Sequence, residues 1–115
     1  LNNLSGTSYL NSNSASAVAT TIYGANTNGF FVNNRTTSTA FKFNRNTSIN
    51  SITQSSTALT SNSINIGALS AGVGQAYFSN RECAFSSIGD GLTDTEAANF
   101  YTAVQAFNTS LSRNL

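Results

Sequence analysis

The sequence has no histidine, tryptophan, proline or methionine, a single cysteine, and few charges. Each shortage excludes something. Without His there is no Ser–His–Asp relay, and no imidazole to activate the thiol of Cys83. With one Cys no disulfide closes within the chain. The setting "RECAFSSI" reads as a strand with Cys83 and Phe85 on one face, which predicts a buried, inert thiol. Charged residues make up 8% of the chain, against roughly 25% in an average soluble protein, and the net charge is +1. The cations Arg35, Lys42, Arg45, Arg81 and Arg113 stand apart rather than forming a basic stripe, so nucleic acid is not an expected partner. No apolar run approaches the roughly 20 residues that span a bilayer, and no basic start with an apolar core marks a secretion signal, so membrane insertion is not expected. With no Met to initiate it, the chain is expected to be a processed product, a fragment or the ordered part of something longer.

Acidic residues are equally sparse. Retaining glycosidases need two closely spaced carboxylates, and Glu82 stands alone on its predicted strand. Asp94 and Glu96 suit the start of a helix, and with Asp90 they do not match the spacing of a calcium-binding loop. The stretch "SAGVGQ" lacks the Lys of a phosphate-binding loop. No catalytic residue, metal or cofactor is therefore expected, and the chain is not read as an enzyme.

What the sequence does have is Ser, Thr and Asn, roughly two-fifths of all residues against far lower average usage. Eight Phe and four Tyr recur between the polar runs. Low net charge with recurring aromatics argues against disorder and for a strand-rich, thin-cored fold. Residues 1–16 form a weakly patterned lead-in around Tyr9 and Leu10. Strands are expected across 17–90. "AVATTIYGA" alternates and is closed by the turn signal "GANTNG". "FFVNNRTTS" follows, and in "TAFKFNR" Phe41 and Phe43 point one way, Lys42 and Asn44 the other. "NRNTS" makes a hairpin turn, since Asn tolerates left-handed backbone, and "INSIT" pairs back. "QSSTALTSNS" contains a loop. "INIGAL" places Ile64 and Ile66 on one face, "AGVGQ" is a link, and "AYFSNRECAFSSI" supplies the last strand or pair of strands. Turn signals at short, fairly even spacing fit an antiparallel sandwich, and no fixed-period repeat suggests a solenoid.

The end of the chain changes period. "TDTE" is a capping box with Thr93 at the N-cap and Glu96 three residues on. Ala97, Phe100, Tyr101, Val104, Phe107 and Leu111 recur at helical spacing, which predicts an amphipathic helix over about 93–110 within the segment 93–112, with Phe100, Tyr101, Val104 and Phe107 buried. Arg113 lies near its end, where a cation is favoured.

Three stretches, "NGFFVNNRTTSTAFKFNR", "INIGAL" and "FSNRECAFSSIGDGLTDTEAANFYTAVQAFNTSLSRNL", together resemble the C-terminal half of concanavalin A-like (laminin G-like) jelly-roll domains. More narrowly they are similar to a version found in bacteriophage structural proteins, often fibre- or tail-associated, and in related bacterial sequences. The likeness runs from about Asn28 onward. Its most specific part is the string from "FSNRE" through "SIGDGLTDTEA" to "LSR". The family carries further strands on the N-terminal side, absent here, and often has Asn-Gly where this chain reads "RNTS". The resemblance implies an all-β antiparallel sandwich with one C-terminal helix, 1–115 being a single domain or the C-terminal part of a larger sandwich. It implies a non-catalytic virion component (fibre, spike or decoration), assembled with identical copies or with other virion proteins. The alternative expectation is a carbohydrate-binding module of a secreted or surface bacterial protein.

Sugar recognition joins both expectations, because a virion fibre can contact host surface glycans. Sugars present apolar faces and hydroxyls, and are held by aromatic rings with amide and guanidinium groups around them. Tyr23, Asn26, Asn28, Tyr77, Asn80 and Arg81 have that chemistry near predicted loop ends, and are the candidate glycan contacts.

Overall fold

The structure is a computed structural model that describes residues 2–4, 7–10, 12–14, 16–20, 28–59, 64–70, 75–76, 78–79 and 82–113. Its elements, in chain order, are β1 (Asn2–Leu4), β2 (Thr7–Leu10), β3 (Val18–Thr20), β4 (Phe31–Asn34), β5 (Ala40–Arg45), β6 (Ser48–Thr53), β7 (Leu69–Ser70), β8 (Gln75–Ala76) and α1 (Asp94–Ser110). All ladders are antiparallel, in the orders β1-β2-β3, β4-β5-β6 and β7-β8. The chain divides into two units, 1–58 with 90–115, and 59–89.

In the first unit β5 is the central strand. It pairs with β4 through Phe31↔Arg45 and Asn34↔Lys42, and with β6 through Phe41↔Ile52 and Arg45↔Ser48. Because side chains alternate across a strand, Phe41 and Phe43 share one face, and Lys42 and Asn44 the other. Leu10 of β2 is buried with Phe41 and Phe43, and Phe31 and Ile52 pack around them. The Phe31 and Phe43 rings meet at 5.9 Å. The lead-in 1–16 therefore contributes β1, β2 and a core residue that its weak patterning did not announce. One apolar side chain at the right register is enough to join a core, and it leaves no periodic signature.

The hairpin forms as the sequence predicts. Asn46 adopts φ 53° in the turn between β5 and β6. Its backbone N–H donates to the Phe30 carbonyl at 2.8 Å, and its side-chain oxygen accepts from the Phe30 N–H at 2.9 Å. Polar side chains tie the remaining segments together. The half-buried Arg35 donates to the carbonyls of Ser12, Thr37, Ala40 and Gln54, and its guanidinium lies 5.2 Å from the centre of the Phe41 ring. Gln54 accepts from the Ser14 hydroxyl at 2.7 Å and donates to the Ser16 carbonyl at 2.9 Å.

The helix lies on the Lys42/Asn44 face. Lys42 Nζ donates to Asp94 Oδ1 in an ion pair. Asn34, buried on β4, grips the backbone just before the helix: its side-chain oxygen accepts from the Leu92 N–H at 2.8 Å, and its side-chain nitrogen donates to the Leu92 carbonyl. Gly91 runs against β4's exit. A Cβ there would fall 2.6 Å from the Arg35 carbonyl oxygen and 2.9 Å from Thr36 Cγ2.

Within α1 the buried residues are Ala97, Val104 and Asn108, with Tyr101 partly buried between them. Phe107 and Leu111 are each 48% exposed, which corrects the expectation of a buried Phe107. At about 100° per residue, Phe107 sits roughly 80–90° round from the 97–101–104–108 seam. Phe100 lies on the same flank and is partly rather than fully buried, where Phe30 reaches it with ring centres 5.5 Å apart. The apolar stripe is wider than the seam that packs. The last helical turn itself holds no basic residue; Arg113, three residues beyond Ser110 and so near the helix end as expected, lies over the Phe107 ring at 5.7 Å.

The second unit departs furthest from its sequence pattern. β7 and β8 pair as Leu69↔Ala76 and Ser70↔Gln75. Ile64 and Ile66 belong to no ladder and are 73% and 65% exposed. The chain bends at 66–68, where Gly67 adopts φ 74° and its carbonyl accepts from the Ser79 N–H. Residues 78–79 and 82–89 likewise lie outside any strand, so the predicted last strand is absent among the described residues. Alternation favours a strand, but a strand forms only where a neighbour satisfies its backbone. Cys83 is exposed rather than buried, its thiol donating to the Phe85 carbonyl at 3.2 Å, because no strand turns it inward.

Candidate functional site: a cleft between hairpin and helix

A cleft of about 160 Å³ opens where the β5–β6 hairpin meets the first half of α1. Asn44, Asn46, Thr47 and Ile49 line it from the hairpin, and Ala97, Ala98, Tyr101 and Thr102 from the helix. Two local features create the space. The two-residue turn 46–47 keeps β6 close, so Asn44 and Ile49 are direct neighbours across the ladder. Opposite them the start of the helix contributes the small side chains of Ala97 and Ala98, which leave room where longer ones would fill it.

The capping box fixes the start of that helix. Thr93 Oγ1 accepts from the Glu96 N–H at 3.3 Å, while Glu96 Oε2 accepts from the Thr93 N–H at 2.8 Å and from its hydroxyl at 2.7 Å. Those two bonds to the carboxylate, the backbone one first, hold the Glu96 carboxyl below the usual glutamate range. Thr93 and Glu96 thus take the roles the sequence assigns them, and Asp94 in the first turn is tied to Lys42.

The polar atoms of the cleft have different degrees of satisfaction. The Thr102 hydroxyl donates to the Ala98 carbonyl at 3.1 Å, and the Tyr101 hydroxyl accepts from Gln105 Nε2 at 3.0 Å. Asn44 is only 4% exposed, and its side-chain oxygen has no hydrogen-bond partner. No side chain lining the cleft carries a charge. Such a site has no acid, base or nucleophile poised for chemistry. What it offers is a small, mostly apolar surface made by Tyr101, Ile49 and the alanines, with the Asn44 side-chain oxygen shut off from solvent behind it.

Of the six candidate glycan contacts, Asn28 is exposed and its carbonyl accepts from Arg45 Nε at 3.0 Å and Nη2 at 2.7 Å. Tyr23, Asn26, Tyr77, Asn80 and Arg81 lie outside the described residues. Sequence reasoning missed Asn44 and Tyr101 as site residues. Asn44 alternates with the phenylalanines of β5 and so reads as a solvated residue, and Tyr101 reads as helix stripe. The one available signal was the Ala97–Ala98 pair, small residues facing a polar strand face.

Among the described residues no three His, Cys, Asp or Glu side chains gather as a metal site, and no described helix is long and apolar enough to cross a membrane. No family model matches the chain, and no curated protein or solved structure matches it either.

Proposed function

We propose that the chain is a non-catalytic structural virion component, a fibre, spike or decoration protein of a bacteriophage, that works in assembly with identical copies or other virion proteins and contacts host surface glycans. The observation that carries the assembly reading is the surface of residues 59–89. Leu59, Ile64, Ile66, Phe78 and Ile88 are all 65–88% exposed, in a segment whose only charged residues are Arg81 and Glu82. Single exposed apolar side chains are ordinary, but several within one short, nearly uncharged segment mark a surface that meets a partner. Burying each contributes roughly 1.5–3 kcal/mol, enough in sum to hold an interface.

The virion setting rests on the resemblance of the string from "FSNRE" through "SIGDGLTDTEA" to "LSR". In the same reading the strands belong to a concanavalin A-like β-sandwich completed by strands from elsewhere in the assembly. The non-catalytic part rests on the roles of the acids: Glu96 is held in the cap and Asp94 by Lys42.

Light scattering on the isolated chain, together with a glycan-binding screen, tests the proposal. Oligomers, or a monomer that binds another virion protein, are expected. A monomer at every concentration that binds neither overturns it. Hydrolysis of a β-glucan abolished by Glu82→Gln overturns the non-catalytic part.

A further inference from the structure

We propose that the flank of α1 carrying Phe100, Ala103 and Phe107 pairs antiparallel with the same flank of a second copy of the chain, Arg113 of each copy lying beside Glu96 of the other. The inference rests on the assembly half of the reading above and adds to it a surface apart from residues 59–89.

The apolar stripe of α1 extends beyond its packed seam. Ala97, Val104 and Asn108 are buried, while Phe107 and Leu111 are half exposed and Phe100 is partly so. One such side chain is ordinary on a surface. Here they stand in register. At about 100° per residue, Glu96, Phe100, Ala103 and Phe107 fall within about 60° of one another. Their intervals of four, three and four are those with which two helices mesh. Ala103, at the middle of the strip, is exposed and small, so two helix backbones can approach closely there.

Charge selects the occupant and its direction. Glu96 is exposed at one end of the flank. At the other end is Arg113, whose guanidinium lies over the Phe107 ring and so sits on this flank. Both bonds from Thr93 fall on Glu96 Oε2, and Oε1 takes part in neither. A flank with one end of each sign complements itself only when the copy runs the opposite way. A parallel copy would set Glu96 against Glu96 and Arg113 against Arg113. Centred between Ala103 and Val104, the antiparallel pair puts Phe100 across from Phe107 of the second copy. Arg113 of that copy then falls two residues from Glu96, about 3 Å along the axis. The helix dipoles also oppose each other in this arrangement. A helix of 17 residues gives a strip about 25 Å long and about 10 Å wide. That is on the order of 250 Å² per copy, against the roughly 800 Å² per partner of a stable interface. The strip therefore orients copies held together through residues 59–89 and does not hold a dimer by itself.

Disulfide trapping tests the pair in the full chain, in a Cys83→Ser background. Ala103→Cys, Ala106→Cys and Ser110→Cys are compared for covalent dimer under mild oxidation, alongside light scattering. A disulfide needs Cα atoms within about 7 Å of each other. In the proposed pair position 103 meets its counterpart at the centre, position 110 lies about 20 Å from its counterpart along the axis, and position 106 faces away. Ala103→Cys should crosslink at least about tenfold faster than the other two, because paired thiols meet at an effective concentration that chance encounters do not reach. Adding Arg113→Glu should slow that crosslinking several-fold, and adding Arg113→Lys should not. Equal rates at 103 and 110 would mean a parallel pair, and equal rates at all three, or none at 103, would mean no helix pair. Each of these overturns the inference, and the assembly reading stands if the copies still scatter as an oligomer. A wild type that scatters as a monomer at every concentration removes self-assembly, and the helix pair with it.

Discussion

Two side chains set the geometry on which the helix depends. Asn34 meets both the N–H and the carbonyl of Leu92, as a neighbouring strand would, from a buried position. Asn34→Asp keeps an acceptor for the N–H but sets a carboxylate oxygen against the Leu92 carbonyl. Asn34→Ala leaves both backbone groups without their partner. Each change should cost about 1–3 kcal/mol in urea unfolding. A loss within experimental error would mean that the Leu92 grip holds nothing in place. Glu96 acts through its charge. Its carboxyl is held below the ordinary glutamate value by the bonds from Thr93, so the folded state favours the ionised form. The stability this supplies is fully present above the ordinary value of about 4.3 and is lost as pH falls through the lowered one. The melting temperature of the wild type should therefore drop more over that acid range than that of Glu96→Gln. Parallel pH profiles would show the carboxylate is not tuned by the cap.

At the scale of elements, what was legible in the sequence is what is local. The hairpin around Asn46 and the Thr93–Glu96 cap each involve residues within a few positions, so their patterns survive in one dimension. The role of Leu10 was not legible, because it depends on Phe41 and Phe43 some thirty positions on. Nor were the bonds from Arg35 to Ser12 or from Gln54 to Ser16, since polar side chains carry no periodic mark. The site was hidden for a related reason. Asn44 was visible as polar, and only the arrival of the helix on that face turns a polar position into a buried one. The segment 59–89 fails in the opposite direction: its alternation is strand-like, yet among its described residues only Leu69–Ser70 and Gln75–Ala76 form a ladder. Two glycines separate local from tertiary causes. "GDG" reads as a turn, yet a Cβ at Gly89 meets nothing within 4 Å, whereas one at Gly91 collides with the Arg35 carbonyl oxygen. Gly91→Ala should cost about 1–3 kcal/mol through overpacking, while Gly89→Ala should be neutral or stabilising by up to about 1 kcal/mol. Equal effects in thermal unfolding would show that the turn, and not the close approach to Arg35, selects glycine here.

For the whole molecule, the decisive contrast is in where apolar residues are buried. Among the described residues the buried apolar side chains are Leu10, Phe41, Phe43, Ala97 and Val104, all in the unit formed by 1–58 and 90–115. Among the described side chains of 59–89 none is buried. Those exposed side chains contribute nothing from burial to offset the entropy of ordering the backbone that carries them. Low charge adds to the pressure, because little repulsion opposes association. A second copy of the chain is the simplest cover, since the same surface is then present on both sides of a symmetric contact. The double substitution Ile66→Asp with Phe78→Asp tests this directly. Both side chains are at least 65% exposed, so each change should leave the unfolding free energy of the 1–58/90–115 unit within about 0.5 kcal/mol, as surface changes usually do. In an assembly it places carboxylates in the interface, where desolvation without a partner is costly. Light scattering should show the wild type as an oligomer and the double variant as a monomer at the same concentration. If both scatter as the same oligomer, the interface lies elsewhere. If the wild type is a cooperatively unfolding monomer across a wide concentration range, residues 59–89 need no second copy.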